Sequence, residues 1–302
     1  MDYLEVSIQT EPNQIETISA QLDELGVNGY VIEDESDFRS FLENNRQYWD
    51  YVDEDLENRF AGLSRIRFWI APAQTELLSA FPGAETSIVH DSDWENNWKE
   101  FFKPIEIGSR LIIVPQWEEI PSTGRMPLIL DPGLIFGTGS HATTRMCLEA
   151  IEASDVEGKS VLDLGCGSGI LGIGALVLGA SSNIGVDIDP KAPDVAMDNA
   201  LLNGIGKEQM NVFAGDLLTD CGLRRRIEGK YDLVLANIVA DVILRLIPDV
   251  GQFLAPNGRF ISSGIIDGRE NEVQTALEGA GFEILEHKKM DEWNCFVCRV
   301  MV

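Results

Sequence analysis

The run at residues 161–176, VLDLGCGSGILGIGAL, constrains this chain more than any other stretch. It reads as an apolar strand, a turn with glycine at 165, 167 and 169, and an apolar helix. Glycine accepts the left-handed backbone of a tight turn and lets a ligand approach the main chain closely. The helix N-terminus behind the turn offers free N–H groups and positive potential, which suits an anion. A strand, glycine turn and helix in this order predict an open α/β sheet whose ligands lie at the carboxyl ends of its strands.

The spacing narrows the ligand. The dinucleotide fingerprint is G-x-G-x-x-G, whereas position 170 here is Ile. The pattern is G-x-G-x-G after Asp163, which favours S-adenosylmethionine, a cofactor with one carboxylate for the loop and no pyrophosphate. Gly165 and Gly167 are the expected loop contacts. The next strand ends in Asp187, whose carboxylate can accept both ribose hydroxyls, and Asp189 before Pro190 reads as a helix cap. The strand Met210–Ala214 leads to Gly215 and Asp216, a corner that lies near the adenine in this fold. Asp216 either accepts from the exocyclic amine or closes the turn. The apolar strand Tyr231–Asn237 delivers Asn237 to the carboxyl edge of the sheet. Its amide oxygen can orient an amine without adding charge; the alternative is a strand-ending turn.

Short apolar runs at 160–164, 183–187, 210–214, 231–237 and 259–263 each precede a helical stretch, which predicts a mainly parallel sheet. Runs at 282–287 and 294–302, joined by a short acidic turn, add an antiparallel hairpin. The first ninety residues differ. Strands at 2–9, 30–33, 64–70 and 86–90, a helix at 14–26 and a short helix at 75–81 give β-α-β-β-α-β, the ferredoxin-like pattern. Residues 34–60 are acid-rich and read as a solvated face or loop. At 93–102 a short helix puts Trp94 and Trp98 on one face, to pack between domains or act as a hinge, and Pro104 ends it. The expected fold is therefore α/β: a Rossmann-like methyltransferase domain at 104–302 with a seven-stranded sheet, a linker helix at 91–103, and a small α+β domain at 1–90.

Composition excludes several classes. With 50 acidic against 23 basic side chains, the net charge of −27 disfavours nucleic acid. It suits solubility, or a basic protein partner that such a field would steer. No long uncharged apolar stretch argues for a membrane span, and the N-terminus lacks a signal pattern, so the expected location is the cytoplasm. The five cysteines are scattered, as reduced buried thiols are. Cys295 and Cys298 form a lone C-x-x-C without a second pair, so no metal is expected.

Residues 131–144, DPGLIFGTGSHATT, combine Gly133, Gly137 and Gly139 with the hydroxyls of Thr138, Thr143 and Thr144 and with His141. They suit a loop capped by Ser or Thr, or a lid over a cofactor. Together with VLDLGCGSGIL, GVDIDP, LANI, SGII and DW-x-x-x-W, this segment resembles the ribosomal protein L11 methyltransferase family (PrmA). The resemblance is strong over residues 91–268 and extends to the first domain only in topology. It implies an enzyme whose first domain recognises a basic ribosomal protein and which methylates lysine and α-amino nitrogens. It also implies Thr144, Gly165, Asp187 and Asn237 as cofactor ligands, with Phe136, Gly137, Thr138 and Gly139 closing over the methionine end. Ala142 and the Lys191-Ala192-Pro193 run depart from the family pattern; the latter should delay the following helix by a few residues. His141 is the one nearby candidate for a base. The rival readings are a lysine methyltransferase acting on another protein and a non-catalytic cofactor-binding module of ribosome assembly.

Overall fold

The computed structural model describes residues 2–27, 29–44, 60–90, 102–131 and 141–301. The chain divides into two compact units, Met1–Phe102 and Lys103–Val302.

In the first unit, strands β1 (Asp2–Gln9), β2 (Tyr30–Asp34), β3 (Ser64–Ile70) and β4 (Glu85–His90) form one sheet in the order β2-β3-β1-β4. Every neighbouring pair is antiparallel, which is the ferredoxin-like arrangement. Period-two alternation creates it: Val6, Ile8, Ile66, Phe68 and Ile70 are buried on one face. Helix α1 (Ile15–Glu24) closes that face with Ile15, Ile18 and Leu22. Two expectations change. The acid-rich segment is not only loop, because Glu35–Asn44 forms helix α2, where Arg39 pairs with Glu35 one turn earlier at 2.8 Å. The expected second helix is a 3-10 segment, Pro72–Ala80, in which Gln74 leaves helical dihedrals. Gln74 instead accepts the Ala71 N–H through its side chain. Trp94, Trp98 and the linker helix lie outside the described residues.

The second unit carries a seven-stranded sheet, ordered β10-β9-β8-β11-β12-β14-β13. Its strands are β8 (Ser160–Leu164), β9 (Ser182–Asp187), β10 (Met210–Ala214), β11 (Tyr231–Asn237), β12 (Leu254–Ile266), β13 (Phe282–Met290) and β14 (Trp293–Val300). The β8–β12 pairings are parallel, and β14 turns antiparallel against both β12 and β13. Alternate residues feed two cores. Val161, Leu233, Leu235 and Ile261 face one, and Leu162, Leu164, Val234 and Phe260 face the other. Burial on both faces is why these strands read as unbroken apolar runs. The first core is closed by helices α3 (Ala142–Ala153), α4 (Ile170–Val177) and α5 (Ala192–Leu202).

A smaller sheet of β5 (Ile105–Ile107), β6 (Leu111–Pro115) and β7 (Met126–Leu130) precedes α3 and was not anticipated. Its β7 edge is completed by the side chain of the residue that follows α5. Asn203 accepts the Ile129 N–H at 2.8 Å and donates to the Ile129 carbonyl at 2.7 Å, imitating a neighbouring strand.

Cys147, Cys166, Cys295 and Cys298 are buried as expected, whereas Cys221 is exposed at the start of the short helix Cys221–Arg226. Cys295 and Cys298 belong to opposite cores because their odd spacing along β14 sends them to opposite faces. They cannot converge on one ion. Among the described residues no helix is long and apolar enough to cross a membrane.

The Asn203 clamp generates a stability prediction. Asn203→Ala leaves both main-chain groups of Ile129 without these partners, at an expected cost of about 1–3 kcal/mol. Urea denaturation should show a lower midpoint with an unchanged m-value; an unchanged midpoint would remove the clamp from the account.

Candidate active site

All three glycines of the loop are left-handed, with φ of 76° at Gly165, 51° at Gly167 and 80° at Gly169. Their absent side chains are also used. A Cβ on Gly165 would collide with the Ile238 side chain, and one on Gly169 would lie 2.9 Å from the Ala196 Cβ. The loop therefore sits tight against α5 and against the residue that follows β11. Its main chain is pinned as well: the N–H groups of Gly165 and Cys166 both donate to the Val186 carbonyl, at 2.7 and 3.0 Å.

Asp187 ends β9 directly beside this turn. One carboxylate oxygen accepts the Gly167 N–H at 2.7 Å and the other accepts the Asp189 N–H at 2.9 Å. Each oxygen keeps a further lone pair, and the residue is half-buried rather than sealed. Asp189 accepts the Lys191 N–H at 2.8 Å and so helps to start α5, which begins only at Ala192. That is the delayed helix the Lys191-Ala192-Pro193 run predicts. The Gly215 N–H donates to the Asp187 carbonyl, which brings the Asp216 corner alongside. Asp216 itself accepts from the Leu218 N–H and from the Thr219 hydroxyl, at 2.8 and 2.9 Å, so in this structure its carboxylate closes the turn.

Asn237 arrives from the other side. It is the last residue of β11, and its Nδ2 donates to Thr144 Oγ1 at 3.4 Å. Its Oδ1 is buried and has no hydrogen-bond partner among the described residues. A buried acceptor left bare costs free energy, so it marks a place where a ligand donor belongs. Gly165, Gly167, Asp187, Thr144 and Asn237 are thus brought to one edge of the sheet. Phe136, Gly137, Thr138 and Gly139 lie outside the described residues.

The chain compares closely with known proteins along its whole length. The family model for ribosomal protein L11 methyltransferase (PrmA) matches residues 2–300. The chain belongs to this family. A relative named ribosomal protein L11 methyltransferase from Desulforamulus reducens is 38% identical over 319 aligned positions, covering 99% of both chains. One of the same name from Exiguobacterium is 38% identical over 317, also covering 99% of both. Among solved structures, a ribosomal protein L11 methylase from Lactobacillus delbrueckii superposes with a TM-score of 0.60 and 35% identity. It covers 66% of this chain and 100% of that one.

The structure of this PrmA-family chain adds residues that motif reading passed over. The buried Asn199 donates to the Ser168 carbonyl of the glycine loop at 2.9 Å and accepts the Asp131 N–H, also at 2.9 Å. It ties the loop to the root of the segment that begins at residue 132. The only sign in the sequence is an Asn pair, 199 and 203, spaced one helical turn apart on an otherwise apolar face. His141 stands at the start of α3. Its ring caps α3, with Nδ1 accepting the Thr143 N–H at 3.3 Å and meeting the Thr143 hydroxyl at 2.8 Å. Its ring also packs edge-on against Trp293, 4.8 Å between centroids. Burial lowers its pKa, which keeps the ring neutral and able to accept. The expected Ser or Thr cap is thus a histidine, and Thr143 and Thr144 belong to the helix rather than to a loop.

Asp163, under the loop, is fully buried. One oxygen accepts the Gly172 N–H at 3.2 Å and the other has no partner in the protein. Burial pushes its carboxyl from 3.8 up to about 7; the Gly172 N–H opposes the shift and the Asp187 charge adds to it. The unfolded chain releases this proton near 3.8 while the folded chain holds it, so Asp163 lowers stability progressively as pH rises from about 4 to 7. Asp163→Asn should therefore raise the melting temperature at pH 8 by more than at pH 5. An equal change at both values would contradict the buried-carboxyl account.

Proposed function

We propose that this chain transfers methyl groups from S-adenosylmethionine to amino nitrogens of ribosomal protein L11, namely lysine side chains and the α-amine. The observation that carries this reading is the bare, buried Oδ1 of Asn237 at the same sheet edge as the left-handed glycine loop and Asp187. The membership of the family and its relatives' names supply the substrate. The whole-length coverage, including residues 2–90, supports a substrate-recognising first domain.

The residues present fit the cofactor. The glycines hold the loop in left-handed conformation, and the N-terminus of α4 behind it, whose cap Gly169 brings no side chain, suits the methionine carboxylate. Asp187 retains lone pairs for the ribose hydroxyls, and Thr144, Gly165, Gly167 and Asn237 complete the described ligand set. Asp216 stands beside the adenine end, where the turn it closes shapes the wall. Phe136, Gly137, Thr138 and Gly139 are assigned the methionine end on family resemblance alone. S-adenosylmethionine supplies a methyl group already activated on a sulfonium.

The chain's own task is then to place a neutral amine. Asn237 Oδ1 accepts an amine N–H and so fixes where the nitrogen lone pair points, while the charge of the site stays unchanged. Deprotonating a lysine that titrates near 10.4 costs roughly 4 kcal/mol at pH 7.5, whereas an α-amine costs almost nothing. Water accepts the proton before attack, so the reaction requires no protein base.

The acidic surface fits a basic protein partner and repels nucleic acid, since the chain carries a net charge of −27. The reaction belongs to the cytoplasm, where ribosomal proteins are made.

Incubation of purified L11 with the enzyme and S-adenosylmethionine should add mass in steps of about 14 Da, one methyl per transfer, on lysine and the α-amine. A fragment of residues 104–302 should retain cofactor affinity and lose this activity, and the rate of the full chain should fall as salt screens its surface beyond about 8 Å. Full activity of the fragment would sink the recognition role of residues 1–90. A salt-independent rate would reduce the charge to a solubility feature. Methylation of a different protein from a lysate, with none on L11, would support the rival substrate.

A further inference from the structure

Asn237 ends β11, and Ile238 follows it into a narrow place between two glycines. β11 runs parallel to β8 on one side and to β12 on the other. Ala236 is level with Leu164, and Asn237 is level with Ser263. The next residue on each flank is a glycine in left-handed conformation, Gly165 with φ of 76° and Gly264 with φ of 85°. A Cβ on Gly165 would overlap the Ile238 Cγ2, and a Cβ on Gly264 would overlap the Ile238 carbonyl oxygen. One residue thus uses the space of two missing side chains, with its methyl on the loop side and its peptide on the other.

The two contacts differ in kind. On the β12 side Ile238 is held by main chain. Its N–H donates to the Ser263 carbonyl at 3.1 Å, and Gly264 is the residue at which the pairing of β12 with β14 shifts. On the loop side the contact is an apolar methyl. The polar ties of the loop run elsewhere: the Gly165 and Cys166 N–H groups to Val186, the Gly167 N–H to Asp187, and the Ser168 carbonyl to Asn199. Val186 and Asp187 belong to β9, and the sheet order β9-β8-β11 puts Ile238 on the opposite flank of the turn that follows β8. Branching at Cβ restricts χ1, so once the main chain is fixed the Cγ2 methyl has a fixed place.

We propose that Ile238 is a positioning residue for the cofactor: its Cγ2 methyl, fixed from behind by Ser263 and Gly264, is the stop that holds the Gly165 end of the loop in place for S-adenosylmethionine. This rests on the reading of the loop as the cofactor site. It goes beyond that reading because it makes the branching of a side chain outside the ligand set a determinant of affinity.

The test separates shape from volume. Ile238→Val keeps the branched Cβ and loses one terminal carbon, whereas Ile238→Leu keeps the volume and moves the branch off Cβ. Calorimetry should place S-adenosylmethionine affinity of the Val variant within about threefold of wild type and that of the Leu variant about tenfold lower or more. At saturating cofactor, kcat should stay within about threefold in both, because the main chain that carries Asn237 is still held by Ser263. A role in packing alone gives the reverse order, since exchange of Ile for Leu conserves volume. In the cofactor-free protein the Gly165 amide resonance should move in the Leu variant and stay in place in the Val variant. Gly165→Ala should cost less affinity in an Ile238→Ala background than in wild type, because the methyl its Cβ meets is gone and only the left-handed strain remains. If Ile238→Leu does not fold, Ile238→Met, also unbranched at Cβ, takes its place with the same expectations. A Val variant that binds as weakly as the Leu variant, or a Gly165→Ala cost equal in both backgrounds, overturns the proposal and leaves the loop standing as the cofactor site. A wild type that gives no heat with S-adenosylmethionine overturns both.

Discussion

The hydrogen bond from the Gly167 N–H to the Asp187 carboxylate, 2.7 Å long, holds the ligand-facing end of the fold together. It joins the turn after β8 to the end of β9, two places where a parallel sheet leaves main-chain groups without ladder partners. The turn can adopt that position only because 165, 167 and 169 are glycines in left-handed conformation. Ile238 fills the space a Cβ on Gly165 would take, so the end of β11 is locked to the same turn. Asn237 is thereby set beside the loop, with its Oδ1 facing no partner among the described residues.

The site is costly to build, in the sense that its polar groups are not all satisfied from within. Asn237 Oδ1 and one oxygen of Asp163 are buried without protein partners. Asn183, buried on β9, packs against Gly172 of α4 and likewise lacks partners for both ends of its amide. Native interiors rarely leave such groups bare. Asn237 Oδ1 stands at the carboxyl edge of the sheet beside the glycine loop, which marks that edge as a place for a ligand donor. The surrounding shell compensates with its own polar ties: Asn199 from loop to Asp131, Asn203 along β7, and His141 at the head of α3.

Much of this was legible in the residue pattern, for a physical reason. Strands buried on both faces demand continuous apolar runs, so β8 to β12 and the terminal hairpin could be placed, and the glycine spacing identified the loop. Asp189, expected to cap α5, instead accepts the Lys191 N–H, and Lys191 holds the cap position of a helix that begins at Ala192. The misses share a different cause. The strands β5, β6 and β7 follow one another without intervening helices, so the strand–helix alternation that marks β8 and β10 of equal length is missing there. Histidine is an uncommon cap, so the loop reading of 131–144 takes in the first three residues of α3. The 3-10 segment at Pro72–Ala80 carries helix-forming residues, and its departure at Gln74 depends on a side-chain contact that spacing cannot reveal. Asn199 and the Thr144–Asn237 pair act between elements distant in sequence, where local pattern is silent.

In the proposed function Asp187 serves both the loop and the cofactor, and calorimetry tests this directly. Titration of S-adenosylmethionine into the wild type and into Asp187→Ala should show at least a tenfold weaker variant, because charge-assisted contacts to the ribose are lost, and NADH should give no measurable heat with either. Equal affinity of the two proteins for S-adenosylmethionine would contradict it.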